Sequence, residues 1–136
     1  MQKIILFSIV LFSAFGSIAQ SKHKIVFDFA SGDTASHSGI LRQLNNVIRE
    51  APDAELEVVC HGPAVFMLVK DKTLLEDKMK EIIGRAHVTF KICANSMRRL
   101  GVDKSQLIYL AEVVPVAMLE LSKKQQEGWS YIWAGH

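Results

Sequence analysis

The chain predicts an α/β fold: a mainly parallel, five-stranded sheet covered by helices on both faces, a three-layer α/β/α arrangement. Short apolar runs and amphipathic, helix-spaced repeats alternate from residue 24 to the C-terminus. Helix-stopping residues, Pro52, Gly84, Gly101 and Gly128, fall between them. The leading run, Lys24-Ile-Val-Phe-Asp-Phe-Ala30, is almost continuously apolar, the mark of a strand buried on both faces.

That run ends in Ser31-Gly32-Asp33, with Asp33 placed to cap the helix that follows and His37 in its exposed first turn. Ile40, Leu41, Leu44, Val47 and Ile48 recur at helical spacing, giving a helix of about twelve residues before Pro52. Residues 56–60 form a second strand, closed by His61-Gly62-Pro63. Residues 64–69 are apolar and fit either class. Leu74, Leu75, Met79, Ile82 and Ile83 make the next helix, and residues 88–92 alternate as a third strand with Cys93 at its C-terminal end. Residues 94–100 read as a helix stopped by Gly101. Residues 107–110 predict the fourth strand, with Val113 and Val114 as a short continuation. Pro115 suits a helix start, Gly128 its end, and residues 129–133 the fifth strand, with Trp129, Tyr131 and Trp133 on one face.

The first nineteen residues predict a separate fate. A short basic start at Lys3, an apolar run over residues 4–15 and the small residues Ser17 and Ala19 follow the layout of a secretory signal peptide cleaved after Ala19. The apolar run is too short to span a bilayer, so the mature form, residues 20–136, carries no predicted span. The expected location is periplasmic or secreted. What remains is one domain's length. The formal charge is +2, of which Lys3 supplies one, and so small a balance gives no reason to expect nucleic acid as a partner. Two cysteines, Cys60 and Cys93, are fewer than a disulfide-held secreted domain usually carries, though one bridge remains open to them.

In a parallel sheet, ligands meet the carboxyl ends of the strands. Those ends carry Ser31-Gly32-Asp33, Cys60-His61-Gly62-Pro63 and Cys93-Ala94-Asn95-Ser96, so the three loops should share a rim. Cys93 is the leading candidate for chemistry. A thiol directly before a helix faces that helix's unpaired N–H groups, which favour the thiolate and lower its pKa. Lys91 lies on the same side of the strand, and Asn95 and Ser96 offer donors. His61 could act as base or charge partner, Cys60 as resolving thiol, and Gly62 would lie at the same rim. Cys93 as a small buried hydrophobe remains an equal reading of the residues. Cys60, His61, Cys93 and His37 match no closed zinc spacing, and no motif points to a cofactor.

The segment Ile92-Cys93-Ala94-Asn95-Ser96-Met97-Arg98-Arg99-Leu100-Gly101-Val102 resembles the cysteine-bearing segment of DsrE-like sulfur-relay proteins. The run Val113-Val114-Pro115, then Glu120-Leu121, Gln125 and Glu127-Gly128-Trp129-Ser130-Tyr131-Ile132, is similar to one subgroup of them. Cys60-His61-Gly62-Pro63 looks like their second-strand ending. The resemblance implies the three-layer α/β/α fold, homo-oligomers (trimers or hexamers), and a cysteine at the position of Cys93 that accepts sulfur as a persulfide from a thiol or persulfide donor. On that reading the chain is an exported sulfurtransferase-like carrier, with Cys93 and His61 catalytic and Lys91, Asn95, Ser96, Cys60 and Gly62 around the substrate. The rival readings are a non-catalytic, oligomeric module that binds a small ligand at the rim and a purely structural oligomer.

Overall fold

The structure is a computed structural model and describes residues 22–135; the expected signal peptide lies outside them. Five strands, β1 (Lys24–Phe29), β2 (Glu55–Cys60), β3 (His87–Cys93), β4 (Ala111–Val114) and β5 (Ser130–Trp133), form one sheet in the order β4-β3-β2-β1-β5. Every pairing is parallel. Four α-helices connect them: α1 (Thr34–Glu50), α2 (Glu76–Arg85), α3 (Ala94–Leu100) and α4 (Ala117–Gln126).

The strand order dictates which face each helix covers. From β1 to β4 the chain steps one strand at a time in one direction. Right-handed crossovers then set α1, α2 and α3 on the same face. The return from β4 to β5 runs the opposite way, so α4 falls on the other face. The buried clusters follow this division. Phe27, Phe29, Leu56, Val58, Cys60, Phe90 and Ile92 meet α1, α2 and α3 in the larger core. Val26, Val59 and Cys93, at the alternate strand positions, meet only Ala117 and Leu121 of α4, with Trp129 alongside.

Local chemistry explains the boundaries. The Asp33 carboxylate accepts from Ser36 N–H at 2.9 Å, which starts α1 at Thr34 and makes it 17 residues long, several more than its apolar spacing alone marks. His37 is buried rather than exposed: its Nε2 lies 2.9 Å from the Ser31 carbonyl and its ring packs edge-on to Phe29. Residues 64–69, ambiguous in sequence, lie mostly in a 3-10 helix, Gly62–Leu68, whose apolar residues fill the larger core. Leu74 does not join a helix face; it is 97% exposed, and α2 begins two residues later. Gly101 closes α3 at φ 68°, a left-handed conformation that only glycine adopts freely.

The fourth strand is displaced from its expected place. Residues 107–110 precede it, and β4 is the supposed continuation, Ala111–Val114. Asp103 and Gln106 form a capping box around a 3-10 helix, Lys104–Gln106, which ends the chain's straight run too early for a strand at Leu107. Leu107 instead bridges antiparallel to Val69 and, with Ile108, is buried in the larger core. Apolar content there signals burial, not sheet pairing.

Among the described residues, no helix is long and apolar enough to cross a membrane. Phe90 lies in the middle of the sheet and is fully buried. Phe90→Ala should cost about 3–5 kcal/mol of unfolding free energy, read as a lower urea midpoint with an unchanged slope.

Candidate functional site

The three carboxyl-end loops do share a rim. Gly62 N–H donates to Ser96 Oγ at 2.9 Å, tying the loop after β2 to the start of α3. The loop after β1 presses on the same place: a Cβ at Gly32 would come within 2.7 Å of Pro63 Cβ. Gly62 itself has φ 51°, so the contact with Ser96 depends on a backbone shape that a side chain would strain.

Cys93 is the last residue of β3 and the N-cap of α3. Its Sγ also accepts from the backbone N–H of Ala117 at 3.4 Å. The sulfur therefore stands at the starts of two helices at once. Burial raises the thiol pKa, but the Ser96 N–H, the Ser96 hydroxyl and the N–H groups of Ala117 and Asn95 outweigh it, and the net shift is downward. Cys93 is only 3% exposed, sealed by Ala117 and Leu121 of α4. The donors thus favour its thiolate form relative to a free thiol, under a thin cover.

The remaining candidate residues divide sharply. Ser96, 7% exposed, is at the sulfur through both its amide and its hydroxyl. Asn95 acts through its backbone; its side chain accepts from Arg98 at 3.2 Å and leaves the site. Lys91 shares the Cys93 face but is drawn to Glu112 on the neighbouring β4. His61, one step past β2 on that same face, is drawn the other way, toward β1: its Nε2 lies 2.6 Å from Asp28 Oδ1. Cys60 is not part of the site. Its side chain lies in the larger core, across the sheet from Cys93, and burial pushes its thiol up to about 12. Both cysteines are free, and side chains on opposite faces of one sheet cannot form a disulfide without rebuilding a strand. Among the described residues, no group of three or more His, Cys, Asp or Glu side chains could hold a metal ion.

Asp28 was not foreseen as a site residue, nor was its bond to Tyr131, which the sequence offers only as part of a face that lines a groove or meets a neighbouring subunit. Asp28 is 8% exposed, and its Oδ2 accepts from the Tyr131 hydroxyl at 2.6 Å. That hydrogen bond pushes the phenol up to about 12. The available signal was the aspartate itself, a charged residue in the middle of an otherwise apolar strand.

The family model for DsrE/DsrF-like proteins matches residues 12–134. The chain belongs to the DsrE/DsrF-like family. This family is generally one of sulfur relay. No curated protein matches the chain. Solved structures do. A protein of unknown function, MTH1491 from Methanobacterium thermoautotrophicum, is 25% identical with a TM-score of 0.76, over 82% of this chain and 99% of that one. The conserved protein of unknown function BT1422 from Bacteroides thetaiotaomicron is 13% identical with a TM-score of 0.65, over 81% and 93%. The ychN protein from E. coli is 16% identical with a TM-score of 0.65, over 85% and 100%. These last two share the fold.

In this DsrE/DsrF-like chain the Ser96 hydroxyl is, among the described residues, the side-chain donor at the sulfur that can be deleted without touching the backbone. Hydrogen bonds to charged groups contribute about 1.5–3 kcal/mol, so Ser96→Ala should raise the midpoint of Cys93 alkylation against pH by about 1–2 units. The unmodified protein should show a midpoint below the free-thiol value of about 8.5.

Proposed function

We propose that the chain is an exported sulfur handler in which Cys93 accepts a sulfur atom as a persulfide and passes it on. The observation that carries this reading is the convergence of the Asn95, Ser96 and Ala117 N–H groups and the Ser96 hydroxyl on a single sulfur. In the uptake step the Cys93 thiolate attacks the outer sulfur of a small persulfide, R–S–SH. A new S–S bond forms at Cys93 as the old one breaks. RS⁻ leaves with its electron pair, and the proton stays on the transferred sulfur. In the release step an acceptor thiolate attacks that outer sulfur, and Cys93 departs as a thiolate. One S–S bond replaces another each time, so no oxidant is consumed. Donors that hold Cys93 as an anion serve both steps, because a low-pKa thiol is also the better leaving group. His61 stands on the same face but is held toward β1 by Asp28, so the departing RS⁻ takes its proton from water.

Access requires the start of α4 to lift. Only Ala117 and Leu121 of that helix are buried, so the cover is held by little apolar surface. Met118 and Leu119, in its first turn, and Tyr109 and Val113 beside it in sequence are exposed. We read this apolar surface as the contact of a homo-oligomer, trimeric or hexameric. Export rests on the composition of residues 1–19. N-terminal sequencing of the protein recovered from the periplasm or medium should begin at Gln20.

The rival is a non-catalytic, ligand-binding module in which Cys93 only lines the rim, and the 3% exposure of Cys93 favours it. Intact-mass measurement after polysulfide treatment separates the two. The expected result is a gain of one sulfur that dithiothreitol removes and that Cys93→Ser abolishes, while Cys60→Ser retains it. A protein that gains no sulfur, or gains it equally in Cys93→Ser, is not a carrier at this residue.

A further inference from the structure

The face of the sheet under α4 holds a second feature, distinct from the Cys93 thiol. A groove of about 600 Å³ runs along β2 and β3 from their amino ends to Lys91. Glu55, paired with Lys22, and His87 line its amino end; Lys91, Lys124 and Trp129 line the other, where Glu57 forms the floor beside Thr89. Glu57 is 1% exposed. Its Oε2 is met by the Thr89 hydroxyl and the Lys124 ammonium, each at 3.3 Å. Its Oε1 has no hydrogen-bond partner. An unmet carboxylate oxygen withdrawn from water is costly, and in native structures such groups are generally satisfied by a donor, from the protein or from outside it. Burial, the largest influence, holds the Glu57 carboxyl above its ordinary value with help from Glu120, against the pull of Lys124 and Lys91, so a cation beside it would favour its charged form.

The surrounding charges define what that donor can belong to. A dianion would meet the lysines but also the Glu57 floor. A dication would meet Glu57 but be repelled by Lys91 and Lys124. A molecule with one charge of each sign satisfies both. Trp129, whose ring centroid lies 4.4 Å from Lys124 Nζ, adds a flat apolar wall for a short carbon skeleton. We propose that this groove binds a small zwitterion of the α-amino-acid class, its ammonium donating to the Glu57 carboxylate as Oε1 turns into the groove, and its carboxylate facing Lys91 and Lys124.

The position of the groove narrows the ligand further. Lys91 precedes Cys93 by two residues on the same strand face, a distance of about 7 Å. A thiol-bearing amino acid held beside Lys91 would therefore lie one strand repeat from Cys93. Assigning cysteine-like thiols as the sulfur acceptor rests on the persulfide proposal; the zwitterion site itself does not.

Calorimetry on the full chain carrying Cys93→Ser tests the site with the sulfur chemistry removed. L-serine and L-cysteine should bind, and cysteamine (amine only) and 3-mercaptopropionate (carboxylate only) should each bind at least about tenfold more weakly. Glu57→Gln should weaken L-serine binding by a similar factor. Equal affinity for all four molecules, or full L-serine affinity in Glu57→Gln, overturns the proposal. Should that variant fail to fold, the indole N–H signal of Trp129, assigned with Trp133→Phe, decides: L-serine must shift it, and a stationary signal overturns the site. L-serine binding without sulfur loading of the native protein would leave the groove standing and remove the carrier. Sulfur loading without zwitterion binding would do the reverse.

Discussion

The single constraint behind the site is the reversal of chain direction after β4. Each earlier crossover adds a strand on one side and a helix on one face. The return to β5 sends α4 alone to the opposite face and lays its first amide over the end of β3. Cys93 therefore receives N–H groups from the helix it starts and from a helix that begins 24 positions later. Neither helix supplies this field alone. An α/β sheet with a different order would leave a cysteine at this point with the amides of one short helix only. The donor set is a property of topology first and of local sequence second.

The same reversal makes the two faces chemically unequal. One is packed by three helices and a 3-10 helix, and its strand residues are apolar. The other has one ten-residue helix with two buried side chains. Its strands carry Asp28, Glu57, Thr89, Lys91 and Glu112 at the alternate positions. Buried charge demands partners. The face meets most of that demand pairwise, Asp28 with His61 and Tyr131, Glu57 with Lys124, Lys91 with Glu112, and leaves Glu57 Oε1 unmet. These pairs pull His61 and Lys91 away from Cys93 in opposite directions. The sulfur is left to backbone amides and one hydroxyl, whose positions the fold fixes more firmly than a lysine's flexible chain could.

Much of this was readable in the sequence, and the failures share a cause. The limits of α3 follow from local rules, a strand end before it and a glycine after. So does the capping role of Asp33. Periodicity reports burial without saying against what. Leu107 and Ile108 are buried, yet not in a strand, because a capping box bends the chain ahead of them. The same limit governs Cys60 and Cys93. Adjacent strand ends place their backbones close, but parity along each strand puts the side chains on opposite faces. Parity needs the register, and register is a tertiary fact. Asp28 and Glu57 were visible as charges inside apolar strands; their partners on β5 and α4, more than sixty residues away in each case, were not.

A thiolate stabilised and yet nearly sealed looks contradictory until the terms are separated. Solvent accessibility sets how often a reactant arrives; the local field sets what it finds. Burial by apolar side chains alone moves a thiol the wrong way, as at Cys60, where no donor offsets the loss of water. At Cys93 burial exerts the same upward push, yet the amides and the Ser96 hydroxyl replace the lost water with fixed donors. Fixed donors need no reorganisation when charge appears on the sulfur. A cover resting on an alanine and a leucine can open at small cost. A thiol exposed only when the start of α4 lifts would be shielded from oxidants between encounters while keeping the donors that favour its anion. Seclusion and part of the field then come from one helix terminus: one of the amides that favour the anion belongs to the residue that covers it.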